Sequence, residues 1–186
     1  MLLVTLDTNA SDAVIRQRMM DACLGLGVEA NFAHTTVTDR ETEDTSFATA
    51  NAAILETGLW DESRWDKAVW AGDTVRESFV IGESRLGEGV LGSDDASDFL
   101  ERILDTIGNG SFPRPGQREN LTDSQRRQRR DAMVLEAHHR EGRDVLITLD
   151  VKGFIRRGRR EALERLCCTR IATVDEFCEN PSARWG

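Results

Sequence analysis

The chain has 186 residues, 39% of them hydrophobic, which suits a single domain with an ordinary core. Its net charge of −9 speaks against a generally basic nucleic-acid-binding surface. No apolar run approaches the roughly 18 residues of a bilayer span. The first apolar stretch lacks a preceding basic region and breaks at Asp7, which reads as no signal peptide. Cys23, Cys167, Cys168 and Cys178 contain no C-x-x-C pair, so they read as buried or semi-buried thiols of a cytoplasmic protein rather than zinc ligands or a disulfide framework.

The first element is Leu2-Leu3-Val4-Thr5-Leu6, an apolar run that reads as a buried strand ending in Asp7-Thr8-Asn9. From Ser11 to Leu26 the residues Ala13, Val14, Met19, Met20, Cys23 and Leu24 predict an amphipathic helix, capped by Ser11 or Asp12 and ended by Gly25 and Gly27. Val28 to Phe32 alternates as a second strand. Thr36 or Thr38 then starts a helix continuing to about Thr57, with Thr38-Asp39-Arg40-Glu41 spaced as a capping box.

Residues 58–92 carry Trp60, Trp65 and Trp70, read as packing or interface residues, and a short strand at 78–81. Ser93-Asp94-Asp95 starts a helix with apolar positions 99, 100, 103, 104 and 107. A Gly/Pro loop at 108–116 precedes a helix from about Asp123 to Arg140 with Met133, Val134 and Ala137 inward. His138 and His139 at its end are expected to face solvent. A strand over 144–149 ends in Asp150, with Asp144 as a strand-entry residue. A helix over 160–166, a strand over 169–172 and a terminal helical turn at 174–178 complete the chain. Strands separated by helices predict a three-layer α/β/α sandwich with a central, mainly parallel sheet.

Two strands ending in Asp, at 7 and 150, would bring carboxylates to one sheet edge, where open α/β sheets bind ligands. Crowded carboxylates repel unless a divalent cation compensates, and hard Mg²⁺ or Mn²⁺ suits oxygen donors. Two further acids share this pattern. Glu41 follows Val37-Thr38-Asp39-Arg40 in the first turn of a helix, and Asp131 stands in Arg130-Asp131-Ala132-Met133, 19 residues before Asp150.

With the tail Ile171-Ala172-Thr173-Val174-Asp175-Glu176-Phe177, these blocks resemble the PIN domain nucleases in order and spacing. The resemblance implies one PIN-like domain over 1–186, with an elaboration at about 58–120. It implies Asp7, Glu41, Asp131 and Asp150 as catalytic metal ligands for Mg²⁺ or Mn²⁺, and Asn9 and Thr148 as hydrogen-bond partners that orient them. It also implies hydrolysis of RNA by metal-activated water, as a toxin with an antitoxin protein or as a stand-alone enzyme, and homodimerisation. Arg127 and Arg130, in the basic run beside Asp131, are candidates for substrate phosphates. The second basic run, Arg156-Arg157-Gly158-Arg159-Arg160, reads as a solvated face.

Two other readings fit parts of the chain. A haloacid-dehalogenase-type phosphatase needs a second Asp two residues after the first, where this chain has Asn9. A catalytically silent PIN-like module would bind RNA or protein without cutting.

Overall fold

In the computed structural model the described residues are 1–35, 74–75, 94–118 and 120–184. They form an α/β fold around strands β1 (Leu2–Leu6), β2 (Ala30–Thr35), β3 (Thr74–Val75), β4 (Val145–Ile147) and β5 (Arg170–Ala172). The sheet order is β3-β2-β1-β4-β5, and every pairing is parallel. The helices are α1 (Ala13–Gly25), α2 (Asp94–Gly108), α3 (Asp123–Arg140), α4 (Arg159–Cys167) and α5 (Val174–Glu179).

Side-chain alternation along the strands divides the core. Leu2, Val4, Leu6, Val145, Ile147 and Ala172 pack with Met19 and Cys23 of α1 and Val174 and Phe177 of α5. Leu146 and Ile171 face the other way, onto a cluster built from α2, α3 and α4 and centred on Ile103, Leu104, Met133, Leu135, Phe154 and Leu163. Helices thus cover both faces, which explains the nearly continuous apolar strands. Phe32 and Phe177 meet edge-to-face at 6.0 Å, a geometry that adds about 1 kcal/mol beyond area burial. The second half of the segment expected as an elaboration is built into this core, since α2 packs on α3 and α4.

Several boundaries and faces differ from expectation. Strand β2 extends to Thr35 because Leu6 and His34 remain in register, so the ladder carries His34 and Thr35 into the sheet. Strand β4 is shorter than 144–149. Asp144 lies at its entry, where Oδ2 accepts the Leu3 N–H at 2.8 Å. Helix α1 buries Met19 and Cys23 but exposes Val14, Met20 and Leu24. At 100° per residue, neighbours such as 19–20 and 23–24 cannot share one face. Cys168 is exposed, in left-handed conformation at the end of α4, unlike the buried Cys23 and Cys167.

The largest correction concerns the histidines. His138 is fully buried between β1 and the start of β5. Its Nδ1 lies 2.8 Å from Thr5 Oγ1 and its Nε2 2.6 Å from Thr169 Oγ1. Thr169 donates its hydroxyl hydrogen to the Asp144 carbonyl at 3.0 Å, so it accepts Nε2–H, and Nδ1 accepts from Thr5. His138 is therefore a neutral crosslink between strands. His139 stacks on Phe99 at 4.2 Å, with Nδ1 2.9 Å from the Cys167 carbonyl.

The expected helix at 36–57, the strand at 78–81 and the three tryptophans lie outside the described residues, and the two-residue β3 was not expected.

Candidate metal centre at the carboxyl edge of the sheet

The chain leaves β1 toward β2 on one side, while β4 and β5 lie on the other. The order therefore reverses between β1 and β4. At such a switch point the loops after the two strands part and leave a crevice at their carboxyl ends. Asp7 follows β1 and Asp150 follows β4, so both acids stand at that crevice.

Asp7 is held from three directions. Its N–H donates to the Ile147 carbonyl at 2.9 Å, extending the β1–β4 pairing by one bond. Its Oδ1 accepts the Thr8 N–H at 2.9 Å as the chain turns into a short 3₁₀ helix, Thr8–Ala10. Its Oδ2 accepts the Thr148 hydroxyl at 2.6 Å. The side chain is buried, so these donors stand where water would otherwise be.

Thr148 follows β4 with its N–H still donating to the Ala172 carbonyl at 3.0 Å and its side chain turned to this site. The same hydroxyl oxygen accepts the Asp150 N–H at 2.9 Å, which joins the two acids through one atom. Asn9 makes a second bridge, its Oδ1 accepting the Leu149 N–H at 2.9 Å. Asn9 and Thr148 thus fix the β1 and β4 loops to each other.

Asp150 closes its own turn. Oδ1 accepts the N–H groups of Lys152 at 2.9 Å and Gly153 at 2.8 Å. Arg159 clamps the same turn from the start of α4, its Nη1 donating to the Lys152 and Gly153 carbonyls at 2.9 and 3.0 Å. Oδ2 of Asp150 takes no hydrogen bond among the described residues and is left for another partner.

Asp131 reaches the crevice from α3. That helix is fixed at its start by a reciprocal capping box between Thr122 and Gln125, and along its length by buried Ala132 to His138. Gly153 shows where the Asp131 carboxylate lies. A Cβ at Gly153 would collide with Asp150 Oδ2 and sit 3.4 Å from Asp131 Oδ2. Both carboxylate oxygens border the space that glycine leaves open. Gly153 and Arg159 shape the surroundings of Asp150 and were not singled out from the sequence. The glycine three residues after Asp150 was the available signal, since an aspartate-capped turn brings that backbone against its own carboxylate.

The structure thus links Asp7, Asn9, Thr148 and the Asp150 loop by hydrogen bonds and sets Asp131 Oδ2 beside Gly153, while Glu41 lies outside the described residues. Arg127 is exposed one helical turn before Asp131 and so shares its stripe; Arg130 is half-buried and lies about 100° around the helix. Among the described residues, no three His, Cys, Asp or Glu side chains converge closely enough to form a metal cage by themselves. Asp7 is connected through the Thr148 hydroxyl to the backbone N–H of Asp150. The buried thiols are poor nucleophiles: burial, then the neighbouring Cys168, pushes Cys167 up to about 12, and burial raises Cys23.

No family model matches this chain, and no curated protein matches it. Among the described residues no helix is long and apolar enough to cross a membrane.

Proposed function

We propose that the chain is a PIN-like, divalent-metal-dependent ribonuclease of the cytoplasm. Its metal ligands are Asp7, Asp131 and Asp150, with Glu41 as the fourth acid. The observation that carries this reading is the placement of Asp150 Oδ2 and Asp131 Oδ2 against Gly153, at the switch point of a parallel sheet, with Asp7 tied in through Thr148.

The donor set fits the ion. All the donors are carboxylate oxygens, which suit Mg²⁺ or Mn²⁺ with water completing the coordination. Like charges directed into one space repel, and a cation relieves that repulsion. Such an ion supplies a water acidic enough to act as hydroxide near neutral pH and offsets charge on the phosphate oxygens.

The chain's own residues do the positioning. The Lys152 and Gly153 N–H groups hold Asp150 Oδ1, so only Oδ2 is presented. Thr148 holds Asp7 Oδ2 and fixes the separation of the two acids. Arg127, on the stripe that leads to Asp131, is suited to a substrate phosphate. The phosphatase reading is disfavoured because Asn9, where a proton-transferring Asp would be required, is spent on the Leu149 N–H. An antitoxin protein or a second copy of the chain are the partners this reading brings with it.

Purified protein should cleave RNA in Mn²⁺ or Mg²⁺, lose that activity in EDTA, and lose it in Asp7→Asn. Undiminished cleavage in EDTA or in the variant contradicts the proposal. RNA binding without cleavage under all metal conditions would favour the silent binding module.

A further inference from the structure

The basic run at 156–160 divides into two functional halves. Arg159 is consumed by the Lys152 and Gly153 carbonyls. Arg160 is consumed by Glu176 at 2.8 Å and Glu164 at 3.4 Å. Arg156 and Arg157 are exposed, as is Lys152, and among the described residues no carboxylate forms an ion pair with any of the three. Glu161, the acid that follows Arg156 and Arg157, is exposed and accepts the Gly158 N–H at 2.6 Å, with Arg160 and Arg157 acting on it only through space.

Lys152 stands on the turn that Asp150 itself closes, and Arg156 and Arg157 follow in the same loop before α4. The same turn exposes two large apolar side chains, Leu149 at 42% and Val151 at 62%. Exposed apolar groups here alternate with cations that form no ion pair among the described residues. They match a strand that carries phosphates on one side and sugar and base surfaces on the other. The backbone beneath is fixed by the Asp150 and Arg159 hydrogen bonds, so little ordering is needed on binding. In a chain with net charge −9, such a local cationic lip is what allows a polyanion to approach two carboxylates.

We propose that residues 149–157 form the seat for a single-stranded polynucleotide. Lys152, Arg156 and Arg157 take consecutive phosphates, and Leu149 and Val151 lie against sugar and base. This deepens the nuclease reading and relies on it for the direction in which the strand runs toward Asp150.

The test is fluorescence-anisotropy binding of a labelled single-stranded RNA oligomer to the full chain in EDTA, across a salt series. The triple variant Lys152→Ala/Arg156→Ala/Arg157→Ala should bind at least about tenfold more weakly at low salt. Its slope of log affinity against log salt should fall by roughly 2, at about 0.7 per phosphate contact. Leu149→Ala/Val151→Ala should weaken binding with the slope unchanged. Arg114→Ala/Arg165→Ala, which removes exposed charge elsewhere, should leave both intact. Circular dichroism melts check that each variant folds. Unchanged affinity and slope in the triple variant overturn the proposal, as does a wild-type protein that binds no RNA. Equal affinity for duplex RNA, with no effect of the apolar substitutions, overturns the single-strand assignment. Cleavage by the wild type in Mn²⁺ reports separately on the metal-site reading, so either can fail alone.

Discussion

Thr148 donates its hydroxyl to Asp7 Oδ2 at 2.6 Å, across the seam where the order of the sheet reverses. That bond joins the end of the first strand to the end of the fourth, between Asp7 and Asp150. With the Asn9 bridge it sets the spacing of two acids 143 positions apart in sequence.

Thr148→Val should therefore affect stability and site together. It keeps the shape but strands a buried carboxylate oxygen and the Asp150 N–H. The expected cost is about 1–3 kcal/mol in urea unfolding. Thr148→Ser should recover most of it, and an unchanged midpoint in the valine variant would contradict the bridging role.

Gly153→Ala should act on the site more than on the fold. The added methyl collides with Asp150 Oδ2 and crowds Asp131 Oδ2, so one carboxylate must turn away. Mn²⁺ affinity should fall about 10–100-fold, the range typical when the support of metal ligands is disturbed. Calorimetric titration measures this, and wild-type affinity in the variant would show that the two acids do not share that space in solution.

Arg159 acts through the turn it clamps. Arg159→Ala should lower the cleavage rate and weaken Mn²⁺ binding while shifting the melting temperature only slightly, since the side chain is half-buried and bonds only to loop carbonyls. Arg159→Lys should restore part of both. Equal effects on stability and metal affinity would reduce its role to general packing.

His138 should set the acid limit of stability. Burial, then the Arg143 guanidinium and the His139 ring, pull its pKa from 6.5 down to about 3. Between those values the unfolded chain binds a proton that the folded chain refuses. The stability His138 contributes is therefore complete above about pH 6.5 and is lost as pH falls toward 3, at roughly 1.4 kcal/mol per pH unit at its steepest. Urea unfolding of the wild type and of His138→Leu at pH 7.5, 6, 5 and 4.5 should show a shallower pH slope in the variant, whatever its starting stability. Parallel slopes would contradict this.

The helices and strands with strong local signals were legible in sequence. Helix α3 begins and ends as expected because Thr122 and Gln125 cap it locally and Gly142, at φ +59°, stops it. Strands β1 and β4 were legible because burial on both faces leaves an apolar run. What was missed depends on long-range contacts. The neutral role of His138 requires Thr5 and Thr169, which are far away in sequence, although its position four residues after Val134 places it on the buried face. The exposed half of α1 escaped because composition does not say which of two adjacent apolar residues meets the sheet. The acids at 7, 131 and 150 stand out by order and spacing, while the setting of Asp150 depends on Gly153 and Arg159. Those two residues act through backbone space and carbonyls, which leave little trace in side-chain chemistry.

The most direct test of the central claim is a Mn²⁺ titration followed by electron paramagnetic resonance on the wild type, Asp131→Asn and Asp150→Asn. The account predicts that the wild type takes up the ion and that each substitution weakens its binding at least about tenfold while leaving the fold intact. Equal Mn²⁺ binding by all three proteins, or none by the folded wild type, would contradict it.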